Sequence, residues 1–81
     1  MNLILAINKA NQKLKNQGIT SSRLDCEILM SAVIGKEKED IILNPNEFIS
    51  ETKMKIFDDL IDERAKKKPV AYLTGIKEFW K

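Results

Sequence analysis

The sequence contains no histidine and a single cysteine, Cys26. Without histidine there is no Ser-His-Asp triad, no Cys-His pair and no His-ligated zinc site, and the usual acid–base group near neutral pH is missing. One cysteine rules out an internal disulfide and a CxxC knuckle, which points to a reducing, cytoplasmic setting. The three glycines, Gly18, Gly35 and Gly75, are too scattered to build a phosphate-binding loop or a GxGxxG turn. Aromatic residues make up only 6% of the chain, so the core must be mainly aliphatic. Long apolar runs are missing too. The stretch at residues 3–7 is too short for a signal-peptide core, and the zone at 28–34 is broken by Ser31 and far short of a membrane span.

What remains is 81 residues, 43% hydrophobic and 32% charged, which is the composition of one small globular domain. A chain of this size buries only about 60% of its unfolded surface. It has room for a packed layer of helices, not for a deep pocket with a lid. The net charge of +2 does not call for a polyanionic partner. Its distribution says more: residues 1–23 carry +4, residues 24–63 carry −7 and residues 64–81 carry +5. This reads either as terminal helices pairing with the middle ones or as a surface that steers a charged protein.

Apolar spacing predicts an all-α bundle of four to five helices. Helix one covers residues 2–16, because Leu3, Ile7, Ala10 and Leu14 fall within about 60° of one another on a helical wheel. Leu5 lies opposite that stripe and is expected at the surface, and Gly18 supplies the left-handed stop. Helix two starts within residues 20–22, with Ser22 and Asp25 as a capping-box variant, and ends before Gly35. It is apolar nearly all round, which makes it the central helix. A short third helix fits residues 37–43 and stops at Asn44, before Pro45. Residues 44–49 form a loop. Helix four covers residues 51–67, capped by Ser50, with Ile49 and Met54 as a hydrophobic staple. Pro69 ends it and opens a short helix over 69–74, with Gly75 as the stop. Residues 76–80 read as extended. Such a segment needs a pairing partner, and no preceding segment reads as a strand. Either the mate lies beyond Lys81, or Phe79 and Trp80 fold back onto the helices.

Few residues suggest chemistry. Ser50 to Lys53 spells S-x-x-K, but nothing supplies an oxyanion hole and Ser50 is needed as a cap. Asp58, Asp59, Asp62 and Glu63 share helical spacing; a solvated face with i,i+4 pairs from Asp62 to Lys66 and from Glu63 to Lys67 explains them better than a cation site. Lys66, Lys67 and Lys68 complement a helix C-terminus, and no aromatic alternates with them, so a nucleic-acid partner is not expected. Arg64 falls inside the apolar arc of helix four and must find acceptors or snorkel out; it is expected to tie the last carbonyls of helix four to the loop that follows, with a contact to a partner as the alternative.

From Arg64 onward the string RAKKKPVAYLTGIKEFW resembles the end of the N-terminal domain of the HemK/PrmC family, the glutamine methyltransferases of peptide-chain release factors. Arg64, Pro69, Tyr72, Gly75, Glu78, Phe79 and Trp80 occupy the pattern's places. RLDCEILM at residues 23–30 resembles the family's second helix. The resemblance implies a helical domain over residues 1–75, with residues 76–81 beginning a β-hairpin that leads into a Rossmann-like methyltransferase domain. It also implies methyl transfer from S-adenosylmethionine to the glutamine amide of the release factor's Gly-Gly-Gln motif. The family's Asn-Pro-Pro-Tyr motif and cofactor loop do not occur here. The resemblance therefore places no catalytic, cofactor-binding or metal residue in this chain, and assigns S-adenosylmethionine to the full-length enzyme. The implied partners are the release factor and the catalytic domain of the same protein, with no membrane.

Residues 64, 69, 72, 75, 79 and 80 are then expected to fix the inter-domain junction, and Leu5, Lys9, Lys13, Lys66, Lys67 and Lys68 to be candidates for partner contact. Two other readings stand beside this one: a nucleic-acid-binding helical module with Gly35 near a helix-turn-helix turn, and a self-sufficient protein-interaction adaptor.

Overall fold

The computed structural model describes residues 1–75. The extended segment expected at 76–80, with Phe79 and Trp80, lies outside the described residues, as does the boundary expected at residue 75. Five helices follow in order: α1 (Leu3–Asn16), α2 (Ser22–Ile34), α3 (Lys38–Leu43), α4 (Glu51–Ala65) and α5 (Val70–Thr74). Among the described residues the one extended pairing is an isolated antiparallel bridge between Asn2 and Phe48.

The predicted bundle is present, and most helix boundaries have a visible cause. Asn2 is the cap of α1 rather than its first residue, and its Oδ1 accepts from the Leu5 amide at 3.0 Å. At the other end the Ile19 amide donates to the Leu14 carbonyl and the Gly18 amide to the Lys15 carbonyl. That pair is a Schellman closure, with Gly18 at φ +79° and the flanking Ile19 and Leu14 both buried. Ser50 caps α4 as expected, its Oγ accepting from the Lys53 amide at 3.3 Å.

Other boundaries differ too; α3 starts at Lys38, one residue late, because Glu37 serves as its cap. Ser22 is the first residue of α2, not a cap; it is buried, and its hydroxyl donates to Asn11 Oδ1 on α1. Helix four stops at Ala65, two residues early. The Lys67 amide donates to the Arg64 carbonyl and the Lys68 amide to the Glu63 carbonyl, a second closure of the same type, now with a lysine at φ +74°. Pro69 precedes α5 as its cap instead of opening it, and its carbonyl receives the amides of Tyr72 and Leu73.

The core is mainly aliphatic, with Phe57 its largest fully buried side chain. Leu3, Ile7 and Leu14 of α1, Cys26, Leu29 and Met30 of α2, Phe57, Leu60 and Ile61 of α4, and Leu73 of α5 are each buried. Helix α2 packs against all four other helices, as its composition suggested. It is not enclosed, however: Leu24 is 47% exposed. Within this core burial pushes the Cys26 thiol up to about 12, with the Asp25 carboxylate adding to the effect. No helix among the described residues is long and apolar enough to cross a membrane.

Candidate functional site

Helices α1, α2 and α4 fix two ends of the bundle. At one end the C-termini of α1 and α4 meet the N-terminus of α2. Here the charged residues singled out in the sequence converge, and most of them find partners inside the chain. Arg64 reaches across to α2: its Nε donates to Asp25 Oδ2 at 2.9 Å, and its Nη1 donates to the Lys68 carbonyl at 3.1 Å. The expected tie to the following loop is therefore present, but the main partner is Asp25. That carboxylate also accepts from Ser21 Oγ, and its side chain is 7% exposed. Arg64 and Ser21 together satisfy this enclosed carboxylate.

The lysines behave differently from their expected helical pairings. Lys67 donates to the Gln17 carbonyl at 2.5 Å, bonding the last turn of α1. Lys66 and Lys68 both approach Glu63, at 3.7 and 2.6 Å. Asp62 pairs instead with Lys13 on α1. The left-handed turn at Lys67 removes the i,i+4 geometry between Glu63 and Lys67, whereas Lys66 keeps its i,i+4 backbone bond to Asp62 and its side chain approaches Glu63 instead. The Lys68 ammonium holds the Glu63 carboxyl below its ordinary value, and Glu63 raises Lys68 in return.

Lys9 and Lys13 line one wall of a shallow groove between α1 and α4, with Asp58 and Asp62 on the other wall. Ala6, Ala10, Met54 and Ile61 also line it, and its volume is about 320 Å³. Desolvation raises the Asp58 carboxyl, and nearby Lys9 opposes that shift. Among the described residues no three potential metal ligands converge. The Ser50 hydroxyl is occupied as a cap, and the S-x-x-K spacing carries no nucleophile geometry.

Of the expected junction residues, Arg64 is a structural tie and Pro69 a cap. Tyr72 stands 58% exposed on α5. Gly75 ends α5 in a right-handed conformation, and a Cβ there would meet only ordinary contacts at 3.5 and 3.6 Å, so nothing in the described geometry requires glycine. Leu5 is exposed, as the wheel predicts.

The opposite end was not anticipated. There the loop at 44–48 is bonded to the first turn of α1, with the Leu3 amide donating to the Glu47 carbonyl and the Ile4 amide to the Pro45 carbonyl, both at 2.9 Å. The Ile49 amide donates to the Met1 carbonyl. Around this clasp Ile42, Leu43 and Phe48 are 65, 75 and 73% exposed. The available signal was length: a six-residue α3 can bury only one face, and Ile41 takes it.

Residues 6–75 match the PrmC N-terminal domain family. A bifunctional methyltransferase of Rickettsia felis is 40% identical over 74 residues, covering 91% of this chain and 14% of that protein. A release factor glutamine methyltransferase of Leptospira interrogans is 32% identical over 78 residues, covering 96% of this chain and 27% of that protein. One from Caulobacter vibrioides is 27% identical over the whole chain and 28% of its own length. The chain thus spans less than a third of the curated relatives it matches. No solved structure matches. With five helices in place and the match running from the first turn of α1 to the end of α5, the chain belongs to the PrmC N-terminal domain family.

Proposed function

We propose that this chain is the helical domain with which a release factor glutamine methyltransferase engages its protein substrate, and that it carries no chemistry of its own. The observation that supports the reading is the match over residues 6–75, joined to relatives that bear that name and are more than three times as long. In this reading the remainder of the enzyme binds S-adenosylmethionine and transfers its methyl group to the glutamine amide nitrogen of the Gly-Gly-Gln motif. The nitrogen loses a proton and S-adenosylhomocysteine departs. An amide nitrogen is a weak nucleophile, so such an enzyme must hold its large substrate in register while it polarises the amide. A second contact region, away from the reacting atoms, supplies orientation. A small, rigid bundle without a cofactor loop suits that task.

Calorimetry with the 81-residue chain tests this. Titration with a peptide-chain release factor is expected to give saturable binding, and titration with S-adenosylmethionine none. Saturable cofactor binding, or silence towards the release factor, overturns the reading. Binding to duplex nucleic acid with a steep salt dependence would move the chain to a different class.

A further inference from the structure

Helices α1 and α4 end in the same left-handed closure, and the two closures are finished differently. At the end of α1 the closure needs only Gly18 and the buried pair Leu14 and Ile19. At the end of α4 it is built on Lys67, whose φ of +74° carries strain that a glycine would avoid. Side chains then bind the turn at 66–69 to three helices. The Lys67 ammonium donates to the Gln17 carbonyl at the end of α1. Arg64 Nη1 donates to the Lys68 carbonyl at 3.1 Å, while its Nε is held by Asp25 of α2. The Lys68 ammonium reaches Glu63 of α4 at 2.6 Å. Ending a helix requires none of these side-chain bonds, as Gly18 shows.

What the turn launches is α5. Five residues make too short a helix to stand alone, so its surroundings set its direction. Leu73 is its one buried side chain. A single anchor fixes the place of a short helix better than its bearing; the turn before it fixes the bearing. In the reading above, the chain passes from the bundle into the rest of the enzyme through α5, at whose end the family match stops. We infer, on that substrate-engaging reading, that Asp25, Arg64 and Lys67 are positioning residues: by holding the turn at 66–69 they fix the bearing of the bundle relative to the part of the enzyme that transfers the methyl group. Lys67 thereby acts inside the chain, where the sequence suggested a partner contact. Contact with the release factor and alignment of what is contacted become separate properties. A large substrate held at two places reacts only when both are in register, whereas a short peptide carrying Gly-Gly-Gln needs only the transferring part.

The test is methyl transfer by the methyltransferase that carries this domain, with the intact release factor and with a short Gly-Gly-Gln peptide as substrates. Two variants remove the ties without stranding a charge: Lys67→Gly, and Asp25→Leu combined with Arg64→Met. Each is expected to lower kcat/KM for the release factor by about tenfold or more and to leave the peptide within about twofold. Ile41→Val, a core truncation far from the turn, lowers stability alone and is expected to change neither substrate by more than about twofold. In calorimetry the same variants of the 81-residue chain are expected to bind the release factor within about twofold of the parent, because no contact is removed. Thermal midpoints establish that each variant is folded. Equal losses on both substrates, or a matching loss in Ile41→Val, make the turn a matter of stability and overturn the inference. Weakened binding by the variant chains makes these residues contacts and overturns it too. Full turnover by both tie variants overturns it and leaves the substrate-engaging reading standing. Silence of the unaltered chain towards the release factor overturns both.

Discussion

The basic end and the apolar end of this bundle are built from the same helices, yet they use their side chains in opposite ways. At the basic end charge closes the structure. Arg64, Lys67 and Lys68 bond Asp25, the Gln17 carbonyl and Glu63, so α1, α2 and α4 are tied together where they converge. At the apolar end the tie is made by backbone amides and carbonyls between residues 1–4 and 45–49, with Leu3 and Ile49 buried and Phe48 exposed. Charge therefore ties helices together at one end, and backbone bonding does so at the other. Perturbing each end should separate the two ties.

The largest expected effect is at Asp25. Asp25→Ala leaves the Arg64 guanidinium, 18% exposed, without its carboxylate. A loss of about 2–3 kcal/mol is expected in urea denaturation, somewhat below the range for fully buried pairs. Asp25→Leu combined with Arg64→Met should recover most of it, because then neither charge is stranded. A single variant that costs under about 0.5 kcal/mol would show that the basic end is not held by this pair.

Next come the two helix closures. Gly18→Ala forces a Cβ into the left-handed region at φ +79° and is expected to cost about 1–2 kcal/mol. The space around Gly18 is ordinary, the nearest atom to an added Cβ being Lys67 Nζ at 3.9 Å, so the cost is one of backbone conformation. Lys67→Gly works in the opposite sense. It relieves the same strain at φ +74° but removes the bond to the Gln17 carbonyl, and a net gain of up to about 1 kcal/mol is expected. Thermal midpoints of the two variants against the parent decide it, and a loss at Lys67→Gly would mean that the bond across to α1 outweighs the strain.

These two positions also explain how much of the fold could be read in advance. Gly18 advertises a left-handed stop, and helix one ends where expected. Lys67 does the same work with a residue that carries no such signal, so helical spacing runs helix four two residues past its end and gives Glu63 the wrong lysine. Arg64 stood out as a charge in an apolar arc, but its partner did not. Asp25 looks like a first-turn acid of α2, and nothing along one helix says what faces it across a packing interface. Leu24 shows the same limit from the apolar side: a wheel counts carbon, and only the neighbouring helices decide which of it is covered. The apolar end is opaque in the sequence for a related reason. Ile41, Ile42 and Leu43 are equivalent as text, and only Ile41 is buried once α3 settles on α2.

At the apolar end the expected stability effects are small. Phe48→Glu and Leu43→Glu should change the unfolding free energy by less than about 0.5 kcal/mol, since both rings and branches already face water. A loss above about 1.5 kcal/mol would mean that Phe48 holds the clasp between residues 1–4 and 45–49, and the contrast between the two ends would blur.

The smallest expected effect is a pH dependence confined to acid. Glu63 has its carboxyl lowered by Lys68, so its contribution is present above the ordinary glutamate value of about 4.3 and fades as pH falls through the lowered one. Asp58 has its carboxyl raised by desolvation, so its contribution is present below the ordinary aspartate value and is lost as pH rises through the raised one. The two therefore oppose each other in the same window. Glu63→Gln should lower the thermal midpoint at pH 7 and Asp58→Asn should raise it, and both differences should vanish near pH 2, where parent and variants are alike uncharged at these positions. Added salt should shrink the Glu63 effect, because its ion pair lies at the surface, and should leave the desolvation of Asp58 largely untouched. If Asp58→Asn instead lowers the midpoint at pH 7, Lys9 across the groove outweighs desolvation, and the α1–α4 groove is then held by attraction across its walls in the manner of the basic end.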